Sequence, residues 1–281
     1  MWIGLAIVAG CRSPGRGRPG AAPTTIAGEV VSFRSGDLVL HGVLHRPPGA
    51  GPFPAVLYNH GSAPGMLPID AANVLGPLYA GRGWIFFMPC RRGQCLSAGS
   101  GRYIDDEIEA ARKTGGPAAA QATMARLLET EQLADQMAGL AWLRASGLAD
   151  VDRIAVAGNS FGGIETVLAA EHDRGLCAAV DSAGGAATWA GAPALRALMV
   201  RAVENARAPI LFFQAENDYD LAPSRTLSAA MKTAGKPFEL RIFPPFGRST
   251  IQGHTFGYFG GEIWGPEVFR FLDAHCPARP R

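Results

Sequence analysis

Beyond residue 28 the chain alternates between short apolar runs and longer amphipathic stretches. Val30-Val31-Ser32-Phe33 and Leu38-Val39-Leu40-His41-Gly42-Val43-Leu44 flank Ser35-Gly36-Asp37, a turn between two strand-like segments that predicts an antiparallel hairpin at a sheet edge. Six further runs of strand length cover residues 54–58, 84–88, 153–157, 176–182, 209–213 and 238–243, and most are followed by a helical stretch. Strands without a polar face must be covered on both sides. The pattern therefore predicts an α/β fold, a mostly parallel central sheet with helices on both faces.

The longest stretch without a strand spans residues 103–148. Within it, residues 105–112 and 123–130 have helical patterning, and Thr114-Gly115-Gly116-Pro117 breaks them apart. This is more helix than a strand-to-strand crossover requires. It reads either as a small helical cap over a site or as a crossover with one extra surface helix.

With 281 residues, 48% hydrophobic and 18% charged, the chain can bury a full core and is not wholly disordered. A net charge of +2 with scattered basic residues offers no footprint for nucleic acid, and none is expected as a partner. Residues 1–11 form an apolar run ending in Val8-Ala9-Gly10-Cys11, which resembles the lipobox of bacterial lipoproteins. The run is too short for the ~20 residues of a spanning helix and lacks a basic signal-peptide start. Residues 12–25, rich in Gly, Pro, Arg and Ser, read as a flexible linker, and residues 26–281 as one domain. The expectation is a protein of the cell envelope or periplasm, or secreted, with a lipid on Cys11. The alternative is a cytoplasmic protein with an apolar tail. Cys90 and Cys95 offer a small disulfide loop in an oxidising compartment, whereas Cys177 and Cys276 read as core or near-terminal thiols. No cysteine has histidines at zinc-ligand spacing, so no structural metal is expected.

The chemistry concentrates on Gly158-Asn159-Ser160-Phe161-Gly162, set between an apolar strand and a helix. A serine flanked by glycines at a strand-to-helix turn is a nucleophile elbow: the turn is sharp, and the glycines leave room for the neighbouring strand and helix. A serine hydroxyl needs a base, and the base needs an orienting acid, which at such elbows follow in the order acid, then histidine. His254, in Gln252-Gly253-His254-Thr255-Phe256-Gly257, is the candidate base, while His275 reads as a solvated residue at the end of the last helix. Asp218 is the best-placed acid, ahead of Asp220, Glu216 and Asp181, one of which reads as a cap for the helix near Pro223-Ser224. Donors to a developing oxyanion are expected from the amide of Phe161 and from that of Gly61 or Ser62, in Asn59-His60-Gly61-Ser62. Arg91 and Arg92, beyond the strand of residues 84–88, offer either a bidentate contact to a substrate carboxylate or an internal pair with an aspartate. Phe246, Phe256, Tyr258, Phe259 and Trp264 read either as the lining of an apolar pocket or as packing against the last helix.

Together, Asn59-His60-Gly61-Ser62, Arg91-Arg92-Gly93, Gly158-Asn159-Ser160-Phe161-Gly162-Gly163, Glu216-Asn217-Asp218 and Gly253-His254 resemble the α/β-hydrolase superfamily over residues 26–278. The chain is most similar to its dienelactone-hydrolase-related and prolyl-oligopeptidase-related members. The resemblance implies a Ser-His-Asp triad and an acyl-enzyme, with no metal or organic cofactor. Dienelactone hydrolases carry cysteine at the elbow, where this chain has Ser160, which points toward ordinary ester hydrolysis. No β-propeller precedes the domain, which counts against a size-selecting peptidase. The expected activity is cleavage of a small-molecule carboxylic ester. The alternatives are a peptidase or amidase with the same triad, or a non-catalytic binding module at the envelope.

Overall fold

A computed structural model describes residues 26–63 and 65–278 of the chain. Residues 1–11 and the linker to residue 25 lie outside the described residues, so the lipobox, Cys11 and the tether have no structural counterpart here. Strands β1 (Glu29–Ser35) and β2 (Leu38–His45) pair antiparallel, forming the edge hairpin that the sequence predicts. Five strands run parallel to β3 (Phe53–Asn59): β4 (Ile85–Pro89), β5 (Ala149–Asn159), β6 (Ala178–Ser182), β7 (Ile210–Ala215) and β8 (Phe238–Phe243). The spatial order is β1-β2-β4-β3-β5-β6-β7-β8.

Two apolar layers follow from the two-residue period of the strands. Ala55, Leu57, Ile154, Val156, Ile210 and Phe212 point into one layer, and Val56, Tyr58, Ala155, Ala157, Leu211 and Phe213 into the other. The first layer is closed by α2 (Ile104–Leu127), α3 (Leu133–Ala145), α4 (Phe161–His172), α5 (Pro193–Asn205) and α6 (Ala222–Thr233). The second is closed by α1 (Leu67–Gly81) and, after the short α7 (Thr250–His254), by α8 (Phe256–Phe259) and α9 (Gly261–His275). Helix α4 is buried over most of its length because α3 and α5 cover its outer side, which explains its nearly unbroken apolar sequence.

The break expected at residues 114–117 falls at Gly116, whose φ of 74° interrupts α2. Beyond the break α2 lies against α5, with Gln121 donating to the Gly191 carbonyl, while Tyr103 and Asp105 at its start meet the loop after β3. One expectation is corrected: Cys177 and Cys276 are not separate thiols but a disulfide, which ties the end of α9 to the start of β6. Cys90 and Cys95 are also joined.

Candidate active site

Ser160 occupies the turn between β5 and α4 with φ 60° and ψ −121°, a conformation that costs a non-glycine residue energy. The chain passes so close to β3 that a Cβ on Gly162 would stand 1.8 Å from the Asn59 carbonyl oxygen, and one on Gly158 2.3 Å from the carbonyl oxygen of Gly162. Glycine is required at both places by contact rather than by dihedral angle. The amide of Phe161 opens α4 and so has no preceding helical carbonyl to bond.

His254 closes α7, a single turn capped by Ser249, whose hydroxyl accepts from the Gln252 amide. Its Nε2 lies 2.8 Å from Ser160 Oγ and its Nδ1 2.8 Å from Asp218 Oδ1. The Asp218 carboxylate is fully enclosed and also accepts from the Tyr219 amide (2.6 Å) and Gln214 Nε2 (2.8 Å), so its oxygens are held in place before His254 bonds to it. Asn217 fastens the acid loop to the histidine loop. Its amide group donates to the carbonyls of Phe246 and Ser249, and its oxygen accepts from the Phe246 amide. Asn159 donates to the His254 carbonyl at 3.2 Å, and the Tyr219 ring packs edge-on against the imidazole.

The other acid candidates lie elsewhere. Asp220 accepts the first amide of α6, that of Ala222, at 2.8 Å, and Glu216 is exposed. Asp181 is sealed behind Gly163 and Gly184, where burial raises its carboxyl to about 7 despite the Gly184 amide that it accepts. His275 lies at the end of α9 with its ring against Phe271.

The loop after β3 departs from expectation. The Gly61 amide, one of the two expected donors, points at Tyr258 and donates to its hydroxyl at 2.6 Å. This leaves the neighbouring amide of Ser62. The Ser62 carbonyl and the Asp105 carboxyl group at the start of α2 both lie against the Tyr103 hydroxyl, whose single hydrogen they share. His60 is buried, with Nδ1 against the Gly61 carbonyl at 2.7 Å and Nε2 accepting from the Arg91 amide. Burial, and secondarily Arg91, hold its pKa well below the usual histidine range, so the imidazole is neutral.

Neither arginine serves as a free substrate contact. Arg91 is 2% exposed and donates to the carbonyls of His60 (2.7 Å) and Gly61 (3.0 Å) and to Gln94, with its guanidinium over the Phe161 ring. Its approach to Glu165 is loose, at 3.5 Å, and burial lifts the Glu165 carboxyl to about 7 even beside that cation. Arg92 forms a two-pronged pair with Asp135 (2.9 and 2.7 Å), which also accepts from Ser35. Both guanidinium groups are spent on the scaffold. Arg91 fixes the carbonyls of the donor loop and so the direction of its amides.

Of the aromatic residues near His254, Phe256, Tyr258 and Trp264 are core, Phe246 packs on Phe256, and Phe259 is 40% exposed. The ligand atoms of His60, Cys90 and Cys95 lie within 4.8 Å of one another, a proximity that sequence spacing does not show. The two sulfurs are bonded to each other and the imidazole nitrogens have partners, so in this state the group has no thiolate to offer a metal.

Sheet order, elbow and the Ser160-His254-Asp218 constellation together define an α/β-hydrolase. Residues 43–253 match the model of the dienelactone hydrolase family, and the chain belongs to that family. No curated protein matches it. Among solved structures it is similar to an acylaminoacyl peptidase of Pyrococcus horikoshii (TM-score 0.63, 20% identity, 92% of this chain and 43% of that one). It is likewise similar to a puromycin-hydrolyzing peptidase of Mycobacterium tuberculosis (TM-score 0.63, 20% identity, 92% and 41%). A third similar structure is an esterase of Pyrococcus furiosus (TM-score 0.60, 14% identity, 93% and 96%). The chain spans less than half the length of the two peptidases.

Proposed function

We propose that the protein is a serine hydrolase that cleaves a carboxylic ester through an acyl-enzyme. The observation that carries this reading is the unbroken chain of contacts from Ser160 Oγ through His254 to Asp218, at 2.8 Å on each side of the imidazole. Ser160 Oγ attacks the ester carbon and passes its proton to His254 Nε2. Asp218 keeps the remaining imidazole proton on Nδ1 and stabilises the imidazolium. The amides of Phe161 and Ser62 receive the developing oxyanion. Collapse of the tetrahedral species breaks the ester C–O bond, and His254 returns its proton to the departing alcohol. Water, deprotonated by His254, then releases the acid and restores Ser160. The exposed ring of Tyr219 against His254 favours an uncharged, apolar substrate.

An amide or peptide bond is the rival substrate for the same residues, supported by the peptidases among the similar structures. Matched short-chain ester and anilide substrates separate the two, because the ester reading requires turnover of the ester with little on the anilide. A fluorophosphonate probe tests the mechanism itself. Labelling of the wild type that vanishes in Ser160→Ala supports it, and a well-folded wild type that takes no label overturns it.

A further inference from the structure

We infer that Tyr258 is a catalytic residue of this site, donating its phenolic hydrogen to the tetrahedral oxygen beside the Phe161 and Ser62 amides. The inference rests on the serine-hydrolase reading and extends it to a side chain that the triad does not include. The phenol oxygen accepts the Gly61 amide at 2.6 Å, so one of the two amides expected from the loop after β3 ends on Tyr258 rather than on the substrate. A side-chain carbon built on Gly61 would stand 2.7 Å from that oxygen and 3.6 Å from the Cβ of Ser160. Phenol and nucleophile therefore flank one small space. The phenol's other polar neighbour is the Asn159 side chain, whose hydrogen bond favours the phenolate and so comes from the amide donor, which leaves the hydroxyl's own hydrogen free to meet the substrate oxygen.

Three further features fit a donor. Tyr258 is 5% exposed and its ring is wedged against Tyr58 and Phe259, so the hydroxyl is held in place before substrate arrives. An O–H whose oxygen already accepts a hydrogen bond is polarised and donates more strongly. Burial raises the phenol pKa above its ordinary value, so the hydrogen is present throughout the neutral range. No proton is transferred in this step. The O–H bond stays intact while a hydrogen bond forms to the negative oxygen and weakens again when the tetrahedral species collapses. Gly61 thus acts through Tyr258, and the loop requires glycine there because a methyl group would meet the phenol oxygen.

The test is Tyr258→Phe, measured with a p-nitrophenyl ester, with a trifluoromethyl ketone as mimic of the tetrahedral species and with the product carboxylate as ground-state ligand. The expected result is a fall in kcat of roughly 10²-fold, as for loss of one oxyanion donor. KM and product affinity should stay within about twofold, and ketone affinity should fall in parallel with kcat. Unchanged kcat and ketone affinity overturn the inference, as does an equal loss of ketone and product affinity, which marks a structural role. Should Tyr258→Phe fail to fold, 3-fluorotyrosine placed at position 258 keeps the shape and acidifies the phenol. The alkaline limb of kcat should then move toward neutral pH, and an unmoved limb overturns the inference. An active wild type with an unaffected variant refutes the Tyr258 role alone. A folded wild type that neither turns over the ester nor takes a fluorophosphonate refutes the hydrolase reading, and this inference with it.

Discussion

Asp218 and Asp181 show how environment assigns work to chemically identical groups. Asp218 receives three hydrogen-bond donors, from His254, Tyr219 and Gln214, which fix its carboxylate against the imidazole. Asp218→Asn should preserve the fold and reduce kcat by roughly 10⁴-fold, because the amide no longer holds the required imidazole tautomer; steady-state kinetics on the ester checks this. Asp181 has one oxygen on the Gly184 amide and the other without a partner among the described residues. Its folded pKa of about 7 lies above the ordinary 3.8, so its contribution to stability is full below about pH 4 and is lost as pH rises through 7. Asp181→Asn retains the acceptor for Gly184. It should therefore be more stable than the wild type at pH 8 by about 4 kcal/mol, with no such gain at pH 4, as read from urea unfolding at the two pH values.

The secondary-structure elements place these side chains, and their cross-links set how firmly. Helix α9 closes one layer of the core through Trp264, Val268, Phe269, Phe271 and Leu272, and the Cys177–Cys276 bond fastens its end to β6 across 99 residues of sequence. A link over so long a loop restricts the unfolded chain strongly. Cys276→Ser should cost about 2–4 kcal/mol, measured as a lower urea midpoint. The Cys90–Cys95 loop spans 5 positions and restricts the unfolded chain less. Both strands and helices were largely legible in the order of apolar runs, down to the interruption of α2 at Gly116. The pairing of Cys177 with Cys276 was not, because both residues sit in apolar surroundings that equally suit free buried thiols. Arg91 was ambiguous for a related reason: its partners, the His60 and Gly61 carbonyls, are backbone atoms that leave no side-chain signal.

Across the molecule as a whole, the sheet order brings the ends of β3, β5, β7 and β8 to one edge, and the donor loop, elbow, acid and histidine follow those strands in turn. Two disulfides are the usage of an oxidising compartment, which supports export to the envelope as a proposal. Among the described residues no helix is long and apolar enough to cross a membrane. The membrane attachment proposed is a lipid on Cys11. Fractionation of the native protein should place it with the membranes, and Cys11→Ser should release it. Recovery of both forms as soluble cytoplasmic protein would remove the lipid-anchor proposal.

Local chemistry along the chain was sufficient to single out Ser160, Asp218 and His254 as candidates, and the fold brings them within hydrogen-bond reach of one another. A glycine-flanked serine, an acid after a buried strand and a histidine in a glycine-rich loop are requirements of backbone shape and residue type, both written in neighbouring positions. The fate of the Gly61 amide depends on Tyr258, 197 positions away, and no local pattern encodes such a contact. The same holds for the internal pairing of Arg92 with Asp135, 43 positions along. Hydrogen-bond partners across the core are chosen by packing: which donor faces the substrate and which is spent on the scaffold emerges only when distant elements close on one another.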